Sequence, residues 1–201
     1  MFDAHVLSAL AGLPLATALL STGVVALAEI GDKTQLLTLL LAARFRRPWP
    51  IVAGILVATL LNHALAAWLG AQASRWLTPE LLRWLVAGSF FAIAAWSLVP
   101  DTLDADAAPR RGRGVFLATA LAFFVAEMGD KTQVATVLLA AKVAPLWEVI
   151  AGTTLGMLLA NAPVALLGDR FAQRLPLRAA RLAAAAVFAA CGAWVAVRGV
   201  A

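Results

Sequence analysis

Two copies of one charged octapeptide, each embedded in an otherwise apolar run, restrict this chain more than any other feature. The first reads Ala28-Glu29-Ile30-Gly31-Asp32-Lys33-Thr34-Gln35 and the second Ala126-Glu127-Met128-Gly129-Asp130-Lys131-Thr132-Gln133. No other charge occurs in the surrounding runs, 14–43 and 114–141. A charged residue at mid-membrane costs roughly 2.5–3.5 kcal/mol, so six of them cost on the order of 15–20 kcal/mol unless they meet each other, water or an ion. The chain must fold so that these groups find partners.

The hydrophobic fraction of 63% against 13% charged residues excludes a soluble globular domain and identifies an integral membrane protein. Apolar runs long enough to span a bilayer fall at about 14–43, 51–71, 81–99, 114–141, 147–168 and 179–197. The expected fold class is therefore all-α, a polytopic membrane protein of six transmembrane helices. The net charge of +5 does not indicate nucleic acid, because the basic residues sit in short loops between spans. A lone cysteine, Cys191, excludes an internal disulfide and a thiolate metal cluster. Asp3 and His5 precede the first run without any Lys or Arg, so that run reads as a retained span rather than a signal peptide.

The chain repeats itself. An offset of 98 residues pairs Glu29 with Glu127, Thr38 with Thr136, Trp49 with Trp147, Gly54 with Gly152, His63 with Asn161 and Gly70 with Gly168. Each half holds three spans, and an odd number sends the second half into the membrane from the opposite side. The expected organisation is two inverted three-helix repeats, 1–99 and 114–201, joined by a charged linker at 100–113. Loops after the first, third and fifth spans carry ten Lys and Arg, and the opposite side carries four, which places the linker in the cytoplasm and both termini outside. Trp49, Trp76, Trp84 and Trp147 near span ends fit interfacial anchors.

The first and fourth runs are too long for straight spans: 30 residues of helix reach about 45 Å, against a hydrocarbon core of about 30 Å. They are expected to bend or break at Gly31 and Gly129, near mid-run, where two antiparallel spans bring their motifs face to face. In helical geometry Glu29, Asp32 and Gln35 share a face, with Lys33 bordering Glu29; Glu127, Asp130, Gln133 and Lys131 do the same. Four carboxylates, two amide oxygens and the hydroxyls of Thr34 and Thr132 make a hard oxygen site suited to Mg, Ca or Mn.

Four carboxylates and two ammonium groups sum to −2, which one divalent cation neutralises. Without the ion, burial and mutual repulsion oppose leaving the site fully ionised, so it should take up protons. Metal and protons then compete for the same oxygens, as an antiporter requires. The competing structural reading makes Glu29–Lys33 and Glu127–Lys131 buried ion pairs that hold helices in register. Asn62, His63 and Asn161 lie at corresponding depths of spans two and five; they either line the cavity or bond between helices. Thr38 and Thr136 are placed to bond their own helix backbone.

The doubled Glu-x-Gly-Asp-Lys-Thr motif in a six-span chain of this length resembles the Gdt family of cation/proton antiporters, which includes Golgi and thylakoid manganese and calcium transporters and bacterial manganese exporters. The resemblance implies metal ligands at Glu29, Asp32, Glu127 and Asp130, completed by Lys33, Thr34, Lys131 and Thr132. It also implies export of Mn2+ first and Ca2+ second, exchanged for protons, across a bacterial inner membrane. No cofactor beyond the transported ion is expected; the remaining partners are lipid and, left open, a second copy in a homo-oligomer. Two other readings compete. A distant similarity to amino-acid exporters of the same plan keeps export of a small cationic or zwitterionic metabolite as the alternative. An intramembrane aspartyl protease would use Asp32 and Asp130, but the adjacent lysines would hold both ionised, and no enzyme is expected.

Overall fold

The computed structural model describes residues 15–100, 114–142, 145–168 and 176–199. The N-terminal stretch, nearly all of the charged linker and the loop that holds Asp169, Arg170 and Arg174 lie outside the described residues. Those described form eight helices and no strand: α1 (Ala16–Glu29), α2 (Lys33–Phe45), α3 (Pro48–Trp76), α4 (Pro79–Ser97), α5 (Val115–Glu127), α6 (Lys131–Lys142), α7 (Leu146–Leu167) and α8 (Leu177–Arg198). The all-helical expectation holds. Three of them, α3, α7 and α8, are individually long and apolar enough to cross a membrane.

The two overlong runs are each split into a pair of short helices. At 14 and 13 residues, α1 and α5 reach only about 20 Å by a rise of 1.5 Å per residue, less than the thickness of a hydrocarbon core. Both breaks turn on a left-handed glycine, Gly31 at φ 81° and Gly129 at φ 73°, a conformation that side chains with a Cβ resist. Elsewhere the sequence starts helices by ordinary means. Pro48 opens α3, and Thr78 caps α4 by accepting from the Leu81 amide, with Pro79 in the first turn.

Packing exchanges partners between the halves. The α1 helix lies chiefly along α7, while α5 and α6 lie along α3; α3 and α7 touch each other, and α4 pairs with α8. Glycines let the backbones close. A Cβ on Gly152 would stand 2.3 Å from the Ala18 carbonyl and 2.9 Å from Ser21 Cβ; a Cβ on Gly54 would stand 2.8 Å from both the Phe116 carbonyl and Thr119 Cβ. Gly54 and Gly152, Ala18 and Phe116, and Ser21 and Thr119 are each 98 apart, so one contact is made twice with the halves exchanged. A third close approach seats Gly70 against the Val137 carbonyl of α6. Small residues at helix contacts are what packing in lipid selects, since apolar burial alone drives little association there.

Between α4 and α8, Phe90 stacks on Phe188 with centroids 6.2 Å apart, and Arg83 Nε donates to the Ala196 carbonyl at 2.9 Å. The outward surface is apolar, with Leu56, Leu60, Leu61, Leu65 and Trp68 exposed along α3 alone. Trp49, Trp76, Trp84 and Trp147 are all exposed near helix ends, the position of interfacial aromatics.

Candidate functional site

The repeated octapeptide does not form the continuous helical face its spacing predicts. α1 stops at Glu29, Ile30 is extended, Gly31 turns left-handed, and Asp32 becomes the N-cap of α2 at φ −78° and ψ 164°. Asp32 Oδ2 accepts from the Thr34 backbone N–H and from Thr34 Oγ1, both at 3.4 Å. The second copy repeats this. Asp130 Oδ2 accepts from the Thr132 N–H at 3.4 Å and from Thr132 Oγ1 at 3.3 Å. Each aspartate thus sits at the positive end of a short helix, where an anion is stabilised.

The glutamine amide oxygens, expected among the ion ligands, are used to close the break. Gln35 Oε1 accepts from the Gly31 N–H at 2.8 Å, and Gln133 Oε1 from the Gly129 N–H at 2.7 Å. A helix break orphans those donors, and the third residue of the next helix is placed to reach back to them. The sequence did carry the signal: Asp-x-x-Gln at 32–35 and 130–133 is capping-box spacing. The Gln35 amide Nε2 goes on to donate to the Ala160 carbonyl at 3.1 Å, in the turn of α7 that Pro163 interrupts.

The lysines cross between the halves. Lys33 Nζ lies 3.1 Å from Asp130 Oδ1, and Lys131 Nζ pairs with Asp32 Oδ1. This corrects the local pairing of Glu29 with Lys33 and Glu127 with Lys131. The i, i+4 geometry that would join them requires an unbroken helix, and the glycine turn removes it. Glu29, Asp32, Glu127 and Asp130 are all fully buried, and Asp32, Glu127 and Asp130 all lie within electrostatic range of Glu29. The motifs therefore meet. Among the described residues, no group of three or more His, Cys, Asp or Glu side chains is arranged to hold a metal ion.

Second-span residues hold the two glutamates. Asn161 Nδ2 donates to Glu29 Oε1 at 3.1 Å, while its Oδ1 accepts from Thr38 Oγ1 at 2.7 Å. In the other half His63, fully buried, places Nε2 3.6 Å from Glu127 Oε2, and Thr132 Oγ1 bonds Glu127 Oε2 at 3.4 Å. Asn62 stands aside from the carboxylates and donates to the Phe124 carbonyl at 3.1 Å, fixing α3 to α5 below the break. Thr136 bonds the Thr132 carbonyl of its own helix, as expected, whereas Thr38 adds the bond to Asn161. Glu148, which the sequence reading overlooked, accepts from the Ala18 N–H at 3.4 Å and so caps α1.

Comparison with known proteins places the chain in a family. The model of the family described as "Divalent cation/proton antiporter GDT1" matches the chain twice, over residues 17–105 and 115–201. The chain belongs to the GDT1 family. It is 52% identical over 185 residues to a protein of Vibrio cholerae serotype O1 named "Putative manganese exporter", an alignment covering 92% of this chain and 88% of the relative. It is 30% identical over 166 residues to a GDT1-like protein of Synechocystis, covering 73% of this chain and 80% of that one. No solved structure matches the chain. GDT1 proteins are membrane antiporters of divalent cations, not enzymes, and the geometry agrees. Asp32 and Asp130 each face a lysine of the other half instead of sharing a proton as a protease dyad would.

Proposed function

We propose that this GDT1 protein exports manganese from the cytoplasm in exchange for protons, with calcium as the second substrate. In this reading the ion binds near the membrane midplane between Glu29, Asp32, Glu127 and Asp130. The observation that carries it is the crossed pairing, Lys33 with Asp130 and Lys131 with Asp32, which gathers four buried carboxylates from two halves. Each lysine ammonium occupies the place of a cation at the opposite aspartate. An entering divalent ion displaces both ammonium groups, and Thr34 and Thr132 steady the aspartates while it does so. The name of the Vibrio relative supports manganese over calcium. Six spans as two inverted repeats are supported by the double family match and by the exchanged glycine contacts.

Reconstituted into proteoliposomes, the protein should move protons against the direction of an imposed Mn2+ gradient, and uphill Mn2+ movement should stop when the proton gradient is collapsed. A Mn2+ flux indifferent to that gradient would make the protein a uniporter and end the exchange reading.

The excess of Lys and Arg on one side supports a cytoplasmic loop at 100–113, external termini and, for a bacterial chain, the inner membrane. A cysteine introduced in that loop, in a Cys191→Ala background, should react with an impermeant maleimide in inverted vesicles and not in intact cells. Labelling of intact cells would reverse the orientation and the transport direction with it.

A further inference from the structure

The two halves hold their glutamates differently, and the difference concerns which ion is accepted. His63 and Asn161 occupy the same repeat position, 98 residues apart, and each faces the motif glutamate of the other half. Asn161 is satisfied on both sides, donating to Glu29 and accepting from Thr38. His63 is not. Its ring is fully buried in α3, and neither Nδ1 nor Nε2 has a hydrogen-bond partner. Glu127 Oε1 is likewise buried without one. His63 Nδ1 and Glu127 Oε1 are thus buried without a bond, and the imidazole meets the glutamate only through the loose approach of Nε2 to Oε2, although buried polar atoms are almost always bonded.

The spacing fits a shared cation better than a direct bond. At 3.6 Å, His63 Nε2 and Glu127 Oε2 form a loose ion pair, longer than an ordinary hydrogen bond. Two donors each about 2.2 Å from one ion stand about 3.1–3.6 Å apart for angles of about 90–110°. Asp130 and Lys33 lie within electrostatic range of Glu127, so a carboxylate becomes available to the same ion when Lys33 releases Asp130.

We propose that His63 is a nitrogen ligand for the transported ion and sets the preference for manganese over calcium. The inference rests on the divalent-cation reading above. Mn2+ itself favours oxygen donors, but Ca2+ and Mg2+ take them almost exclusively, so a single imidazole nitrogen among the ligands costs those two ions more than it costs Mn2+. A site of carboxylates, threonine hydroxyls and Asn161 alone would hold calcium well. One imidazole tilts it.

The test uses the full-length, tag-free protein in nanodiscs with Mn2+ as the probe. Electron spin-echo modulation of bound Mn2+ should show coupling to an imidazole nitrogen that survives His5→Ala, which removes the other histidine, and vanishes in His63→Asn. The same H63N variant, which copies the amide of the other half, should lose Mn2+ affinity by on the order of 10- to 100-fold. Its Ca2+ affinity should stay near the wild-type value, inverting or erasing the preference. Bound Mn2+ without nitrogen coupling in the wild-type protein, or an unchanged Mn2+ to Ca2+ ratio in H63N, overturns the role of His63 and leaves the divalent-cation site standing. Failure of the wild-type protein to bind Mn2+ at all would remove that site, and the inference with it.

Discussion

Glu29→Gln and Asp130→Asn should each abolish Mn2+-driven proton movement in proteoliposomes, by on the order of 100-fold or more, while the protein remains folded. Both changes keep shape. A glutamine at 29 still offers an oxygen to Asn161 Nδ2, and an asparagine at 130 offers its single oxygen either to Lys33 Nζ or to the Thr132 N–H. What they remove is charge. The six motif residues carry −2 when fully ionised, and either substitution reduces this to −1, so a divalent cation would leave a positive charge uncompensated in a buried site. An unchanged size-exclusion profile in both variants, with a thermal midpoint close to wild type in Glu29→Gln, separates lost chemistry from lost fold. Full exchange activity in either variant would sink the site.

The second large effect falls on stability. Lys131 is only 3% exposed and pairs with Asp32, which is fully buried; replacing it by methionine removes the ammonium that balances this carboxylate in a low-dielectric interior, at about 3–5 kcal/mol. Lys33 is the milder case, because its side chain is 26% exposed. Lys131→Met should therefore lower the thermal midpoint in detergent, followed by tryptophan fluorescence, far more than Lys33→Met does. Adding Asp32→Asn to Lys131→Met should restore most of that midpoint without restoring exchange. Equal midpoints for Lys131→Met and the wild type would mean that the crossed pairs do not hold the halves together.

Sequence reasoning located the charged groups and the break, because both are local. Residues 28–35 and 126–133 stand out by being charged within hydrocarbon-like runs, and glycine is the residue that a reversal of backbone hand demands. The 98-residue offset was equally plain, and it correctly picked Gly54 with Gly152 and His63 with Asn161. Partner choice was not legible. A helix-periodic reading joined Glu29 to Lys33, but the turn at Gly31 separates them, and the aspartate that Lys33 meets lies 97 residues away. The bonds of Gln35 and Gln133 were hidden for the same reason: only the break shows that the Gly31 and Gly129 N–H groups need their amide oxygens. Asn161 was visible as a polar residue at depth. That it braces Glu29 while His63 is left without a bond depends on α1 lying along α7, a tertiary fact.

The exchange of packing partners bears on how the protein is made. As the ribosome works from the N-terminus, α1 and α2 enter the bilayer before α7 exists, so Glu29, Asp32 and Lys33 arrive with neither Asn161 nor the opposite motif to receive them. At roughly 2.5–3.5 kcal/mol per charge, such a segment is a poor candidate for independent insertion. The first half must be sheltered, by the translocon or in a shallow position, until the second emerges; biogenesis of this chain is then completed from its C-terminal end.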